Sequence, residues 1–118
     1  MSRKNVVHQY NMFDGQSTPN MSSALTSNIS NVEQLDKFSI HCSWVAGPVG
    51  EFTLQAQNGK SDSWYDLAMS APMTILTTDS EIQILITECP FTSIRLKYVP
   101  TSGSGVLTAN LTMKTVGA

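Results

Sequence analysis

The sequence predicts a single all-β domain, an antiparallel β-sandwich of jelly-roll-like type, on three observations. Several stretches alternate apolar and polar residues at period two, the spacing that sends successive side chains to opposite faces of a strand. Clusters of Gly, Pro, Asn and Ser separate those stretches at short, regular intervals, as in sandwiches. No segment carries a helical apolar stripe over about eleven residues or more. At 118 residues and 41% hydrophobic content, the chain is long enough to bury one core without metal or disulfide. No repeat or linker divides it.

Residues 1–20 are expected to form an N-terminal arm, with the sandwich occupying 21–118. The arm has weak periodicity and two turn-like stretches, Phe13-Asp14-Gly15 and Thr18-Pro19-Asn20. Two readings stand for it: a terminus poorly ordered on its own, and an arm that orders on a neighbouring molecule. Val6, Val7, Tyr10, Met12 and Phe13 favour the second, because a purely solvated tail rarely carries so many apolar side chains.

Met21–Val32 is read as a first strand rich in Ser and Thr. After a short connection, Phe38, Ile40, Cys42 and Trp44 alternate with Ser39, His41, Ser43 and Val45, the clearest strand in the chain. Residues 45–50 turn it back, and Phe52, Leu54 and Ala56 then point inward. Asn58-Gly59 opens a further turn. Trp64-Tyr65-Asp66-Leu67 reads as a short edge strand, with Trp64 toward the core and Tyr65 the exposed member. Met73–Leu76 is a brief strand or a covering loop, and Ile82, Ile84 and Ile86 then alternate against Gln83, Leu85 and Thr87.

The last third is read as a hairpin. Cys89-Pro90-Phe91 opens it, since proline has no N–H for a central ladder. Ile94, Leu96 and Tyr98 then alternate with Arg95 and Lys97, Pro100–Gly105 supply a turn, and Leu107, Ala109, Leu111 and Met113 resume the inward rhythm. Two strands alone are marginal in water, so this pair needs a second layer.

Composition narrows the function. Charged residues are 14% and the formal net charge is −2, so there is no basic footprint for nucleic acid. No apolar run nears the roughly 18 residues of a membrane span. Met1–Tyr10 contains basic residues with no apolar run behind them, so no signal peptide is expected, and synthesis is placed in a reducing cytoplasm. The sequons at Asn20, Asn28 and Asn110 are then chance products of a Ser/Thr-rich chain. Cys42 and Cys89 are expected as free thiols.

Chemistry is sparse. His8 and His41 are the histidines, and His41 falls on a polar strand face. Asp62, Asp66, Asp79, Glu81 and Glu88 sit in loops or edges with no acid–base pairing in their spacing. No catalytic residue, metal site or cofactor is expected, and the protein is read as a non-enzyme. Tyr65 is the candidate exposed aromatic contact, for a sugar ring or a protein interface.

The order Leu35-Asp36-Lys37-Phe38-Ser39-Ile40, Gly47–Gln55, Asn58-Gly59 with Ser63–Leu67, Pro90-Phe91, Ile94–Tyr98 and Thr101–Leu107 resembles a family of small β-sandwich virion proteins of tailed bacteriophages. The resemblance runs over about Ser22 to Val116 and departs from the family where Asn58-Gly59-Lys60-Ser61-Asp62 spreads out the turn before the tryptophan. It implies a virion structural protein, a capsid decoration or cement protein at capsid-subunit junctions. Its partners would be the major capsid protein or other virion proteins, and it would be a homo-oligomer on the particle, made in the host cytoplasm. The alternative is a carbohydrate- or receptor-binding module of a phage tail or adhesin. Nucleic acid and membrane are not expected partners.

Overall fold

Period-two alternation becomes strand wherever a second apolar face is available to cover it. The computed structural model describes residues 5–32, 37–45, 47–59, 63–67, 73–87 and 91–116, with side chains described for these except at 5–8 and 114–116. Among them run β1 (Asn5–Asn11), β2 (Leu25–Thr26), β3 (Ser30–Asn31), β4 (Phe38–Ser43), β5 (Val49–Gln57), β6 (Tyr65–Asp66), β7 (Thr74–Ile75), β8 (Glu81–Ile86), β9 (Ser93–Ser102) and β10 (Thr108–Val116). There is no helix among the described residues.

Two antiparallel sheets result. The first has the order β1-β10-β4-β8 and the second β2-β9-β5-β6, with β3 also on β9 and β7 also on β5. Because β2 and β3 share one edge of β9, and β6 and β7 one edge of β5, the ten strands fill eight positions. The chain alternates between sheets at every step except β5 to β6–β7. That is the connectivity of a jelly roll, as the sequence led us to expect.

The core lies between the sheets. Ile40, Cys42, Ile84, Ala109 and Leu111 from the first sheet meet Phe52, Leu54, Ala56, Ile94, Leu96 and Tyr98 from the second, all buried. Trp44, Phe52 and Tyr98 form an aromatic column, with ring centroids 5.7 Å apart for the first pair and 4.8 Å for the second. Tilted rings at these distances suit the quadrupoles of both partners.

Three expectations are corrected. First, β9 and β10 do not form a hairpin: β9 pairs with β5 in the second sheet and β10 with β4 and β1 in the first. Likewise β4 and β5 lie in different sheets. Alternation specifies which face is buried and says nothing about which strand lies alongside. The crossover after β9 uses Gly103 at φ +79°, where a Cβ would stand 2.7 Å from the Gly47 carbonyl oxygen. Only glycine fits that close passage of two crossovers.

Second, residues 5–20 are not a detached arm. β1 pairs with β10 in continuous register from Asn5↔Val116 to Asn11↔Asn110. Met12 N–H then donates to the Ala109 carbonyl at 2.9 Å, and the Met12 carbonyl accepts from Asn28 N–H at 2.8 Å. Met12 and Phe13 are in the core at 2% and 4% exposure, so they have no surface to offer a partner. The backbones of Val6 and Val7 lie opposite Thr115 and Lys114. The physical reason is the jelly roll itself, which needs a strand on the outer edge of β10 to cover the end of the core.

Third, β9 runs through Pro100 to Ser102, where a loop was expected. Pro100 is tolerated because the register with β5 shifts between Val49 and Gly50, and proline is admitted to sheets at such irregularities. The expected first strand at 21–32 is broken into β2 and β3, with Ser27 buried between them. Ser27 N–H donates to the Leu96 carbonyl, and its hydroxyl accepts from Leu96 N–H and donates to the Asn28 carbonyl. One serine thus bridges the gap in the edge strand.

Candidate interaction surfaces

The outward face of the second sheet gathers the aromatic residues singled out from the sequence. Arg95 on β9 and Gln55 on β5 are register partners, and Gln55 is also opposite Asp66 on β6. Arg95 Nε donates to Gln55 Oε1 at 2.7 Å, and Gln55 Nε2 donates to Asp66 Oδ1 at 2.8 Å. The Arg95 guanidinium carbon lies 4.3 Å from the centroid of Trp64, a cation–π stack. Trp64 is therefore half-buried on the outside of the sheet rather than in the core, which corrects the sequence reading. With β6 only two residues long, its neighbour Tyr65 is exposed at 38%, and the Tyr65 hydroxyl donates to Asn58 Oδ1 at 3.1 Å. The Trp64–Arg95 contact, thirty-one positions apart in the chain, leaves no signal in the sequence.

A second surface lies at the end of the sandwich where three crossovers converge. A Cβ on Gly105 would meet the Val45 carbonyl, and one on Gly47 would meet Thr77. Trp44 N–H donates to the Ser80 carbonyl at 3.0 Å and Asn20 bridges to Val106. Asp79 locks the 76–80 turn: its Oδ2 accepts from Leu76 N–H at 2.8 Å and its carbonyl accepts from Trp44 Nε1 at 3.1 Å. On this framework Val45, Leu76 and Val106 are all exposed, Val45 at 74%. Val45 and Val106 flank turn glycines, which is the signal that would have placed them at a loop end.

A third surface is a groove of about 450 Å³ beside β1, lined by Tyr10, Asn28, Ile29, Leu111 and Met113 among others. Tyr10, expected as an arm contact, is half-exposed on the edge strand here, opposite Leu111.

Cys42 is a free, buried thiol, pushed up to about 12 by desolvation. Burial also raises the Tyr98 hydroxyl, which is buried with no hydrogen-bond partner among the described residues. His41 sits outward as expected, its Nε2 3.1 Å from Glu81 Oε2, with both side chains largely exposed. Cys89, Asp62 and Glu88 lie outside the described residues. Among the described residues no group of three or more His, Cys, Asp or Glu side chains is placed to hold a metal, and no helix is long and apolar enough to cross a membrane.

No protein-family model and no curated protein matches the chain. Solved structures do. The SPBc2 prophage-derived protein YomS superposes with a TM-score of 0.63 at 10% identity, over 95% of this chain and 96% of that one. The infectious bursal disease virus Gx strain structure gives 0.52 at 16% identity over 94% of this chain, and the VP2 subviral particle of that virus gives 0.52 at 14% over 97%. The chain spans about a third of those two viral chains, 33% in each case. At these identities the shared property is the fold.

Proposed function

We propose that the protein is a non-enzymatic virion structural protein, and specifically a capsid decoration protein of a tailed bacteriophage that docks where capsid subunits meet. The observation that carries this is the end-to-end superposition on a prophage-derived protein of nearly the same extent. The partial superposition on a viral particle protein supports the same direction. Docking is assigned to the loop end, since Met12 and Phe13 are consumed by the core. Val45, Leu76 and Val106 are held there by turns that are already hydrogen-bonded, so little ordering entropy opposes their burial. Each side chain contributes on the order of 1–2 kcal/mol when covered, and repetition over a shell converts weak single contacts into stable decoration.

The test is to mix the purified chain with undecorated capsids of the virus that encodes it and image the particles by cryo-electron microscopy. Ordered density at subunit junctions, reduced by Val45→Ser with Val106→Ser, is the expected result. Density absent at saturating protein, or located on the tail alone, overturns the reading. A second reading, carbohydrate or receptor recognition, is favoured by the exposed Tyr65 held by Asn58 beside Trp64 and Arg95, since aromatic faces stack on sugar rings. Glycan-array binding that disappears in Tyr65→Ala would favour it.

A further inference from the structure

The sheet edges of this sandwich are treated unequally. An edge strand exposes unpaired N–H and C=O groups, and natural proteins blunt such edges with short strands, Lys, Pro or bulges. The second sheet follows that rule on both sides, where its edges are broken into the two-residue pieces β2, β3, β6 and β7. β8 does not. It is six residues long, EIQILI, with no Lys or Pro, and it pairs with β4 without a register shift from Phe38↔Ile86 to Ser43↔Glu81. Among the described residues nothing pairs with its other side.

The direction of its backbone groups follows from the ladder. Trp44 N–H donates to the Ser80 carbonyl, so in this antiparallel register the even-numbered residues 80, 82, 84 and 86 turn their hydrogen-bonding groups toward β4. Glu81, Gln83 and Leu85 therefore turn theirs to the open edge. These three side chains are exposed on the outer sheet face, Leu85 at 63%.

We propose that β8 pairs antiparallel with β8 of a second copy of this chain across a twofold axis, extending the first sheet through both protomers. The strand is complementary to itself. In the register centred on Ile84, Gln83 and Leu85 of each copy are hydrogen-bonded partners of Leu85 and Gln83 of the other. Ile84 then meets Ile84, and Ile82 meets Ile86, on the core-facing side. The strand's one charged side chain, Glu81, falls opposite Thr87 rather than opposite its own carboxylate. Branched apolar cross-strand pairs stabilise such ladders, and opposed like charges would not. A twofold contact of this kind is closed, so it stops at the dimer. The pairing does not depend on the virion reading.

Sedimentation equilibrium of the full chain from micromolar to millimolar concentration tests it. The wild type is expected to show a monomer–dimer equilibrium. Gln83→Pro removes an N–H aimed at the open edge while sparing the β4 ladder, and should raise the dimer dissociation constant about tenfold or more. Should that variant fail to fold by circular dichroism, Gln83→Lys with Leu85→Lys replaces it. There, lysines of the two copies face each other, and dissociation should be partly reversed by added salt. A wild type that stays monomeric throughout overturns the proposal. So does a dimer that persists in a folded edge variant, or a series of larger species, which would indicate head-to-tail pairing of β8 with β1.

Discussion

Phe13→Ala tests whether the start of the chain belongs to the core. The Phe13 side chain is 4% exposed, and Met12 beside it 2%. Truncating a buried phenylalanine to alanine costs about 3–5 kcal/mol and a buried methionine about 2–5 kcal/mol, through lost transfer energy and the cavity left behind. A domain of this size has a total stability of about 5–15 kcal/mol. The single change should therefore remove about a fifth or more of the stability, and Met12→Ala with Phe13→Ala about a third or more. Deleting residues 1–13 adds the loss of the ladder partner of β10. Urea unfolding, followed by circular dichroism and by fluorescence of the buried Trp44, reads the effect as a fall in midpoint. Tyr10→Ala, at a half-exposed position, should cost about 1 kcal/mol or less. A Phe13→Ala protein with an unchanged midpoint, or a folded deletion variant as stable as the full chain, would refute the placement of these residues and restore the detached arm.

Ser27→Ala should cost about 1–3 kcal/mol, because it leaves the buried Leu96 N–H without its acceptor; a denaturation midpoint equal to wild type would contradict this. Tyr98→Phe removes a buried hydroxyl that has no partner among the described residues, so stability should hold or rise by about 1 kcal/mol, and a clear loss in the same assay would show that the hydroxyl is satisfied. Cys42 has its folded pKa raised from 9.0 to about 12, so its protonated thiol favours the folded state. That contribution is complete below pH 9 and is lost as pH rises from 9 toward 12. Unfolding midpoints should accordingly fall above pH 9, less steeply in Cys42→Ala, and identical slopes for the two proteins would count against it.

The parts of the fold that were legible are those where one face of a strand decides everything. Ile94, Leu96 and Tyr98, or Phe38, Ile40 and Cys42, are buried in the alternating pattern their spacing predicts. Partner choice was not legible, because β9 would read the same beside β10 as beside β5. The N-terminal strand escaped for a different reason. Tyr10 shares the inner face of the sheet with its register partner Leu111 but is half-exposed at the open edge, while Met12 and Phe13 are both buried as the chain leaves the strand, so no clean alternation survives to be read. The side of the sheet that Trp64 takes was not legible, because β6 beside it is two residues long and offers no alternation. The support of Trp64 is Arg95, a residue whose proximity only the β5–β9 and β5–β6 pairings create. Among the surface candidates, Tyr65 was visible as the exposed half of an aromatic pair. Val45, Leu76 and Val106 become a patch only once the crossovers are brought to one end.

The two proposed contacts constrain each other. The loop end lies at the start of β8, since Ser80 accepts from Trp44 N–H immediately before Glu81. Antiparallel pairing of β8 with its copy reverses the strand direction, so the two loop ends of a dimer point opposite ways. A single capsid surface can then engage only one of them, and the other is presented outward. Mixed with undecorated capsids at concentrations where the dimer forms, the wild type should bridge particles, and light scattering or low-speed pelleting should rise with protein. Gln83→Pro should decorate each particle to the same occupancy without pelleting, because it retains Val45, Leu76 and Val106 and lacks the edge. Val45→Ser with Val106→Ser should do neither while still forming dimers. Equal decoration by wild type and Gln83→Pro with no bridging by a demonstrably dimeric wild type would mean that the docking surface is not the loop end. The β1 groove or the Tyr65 face would then have to carry the attachment.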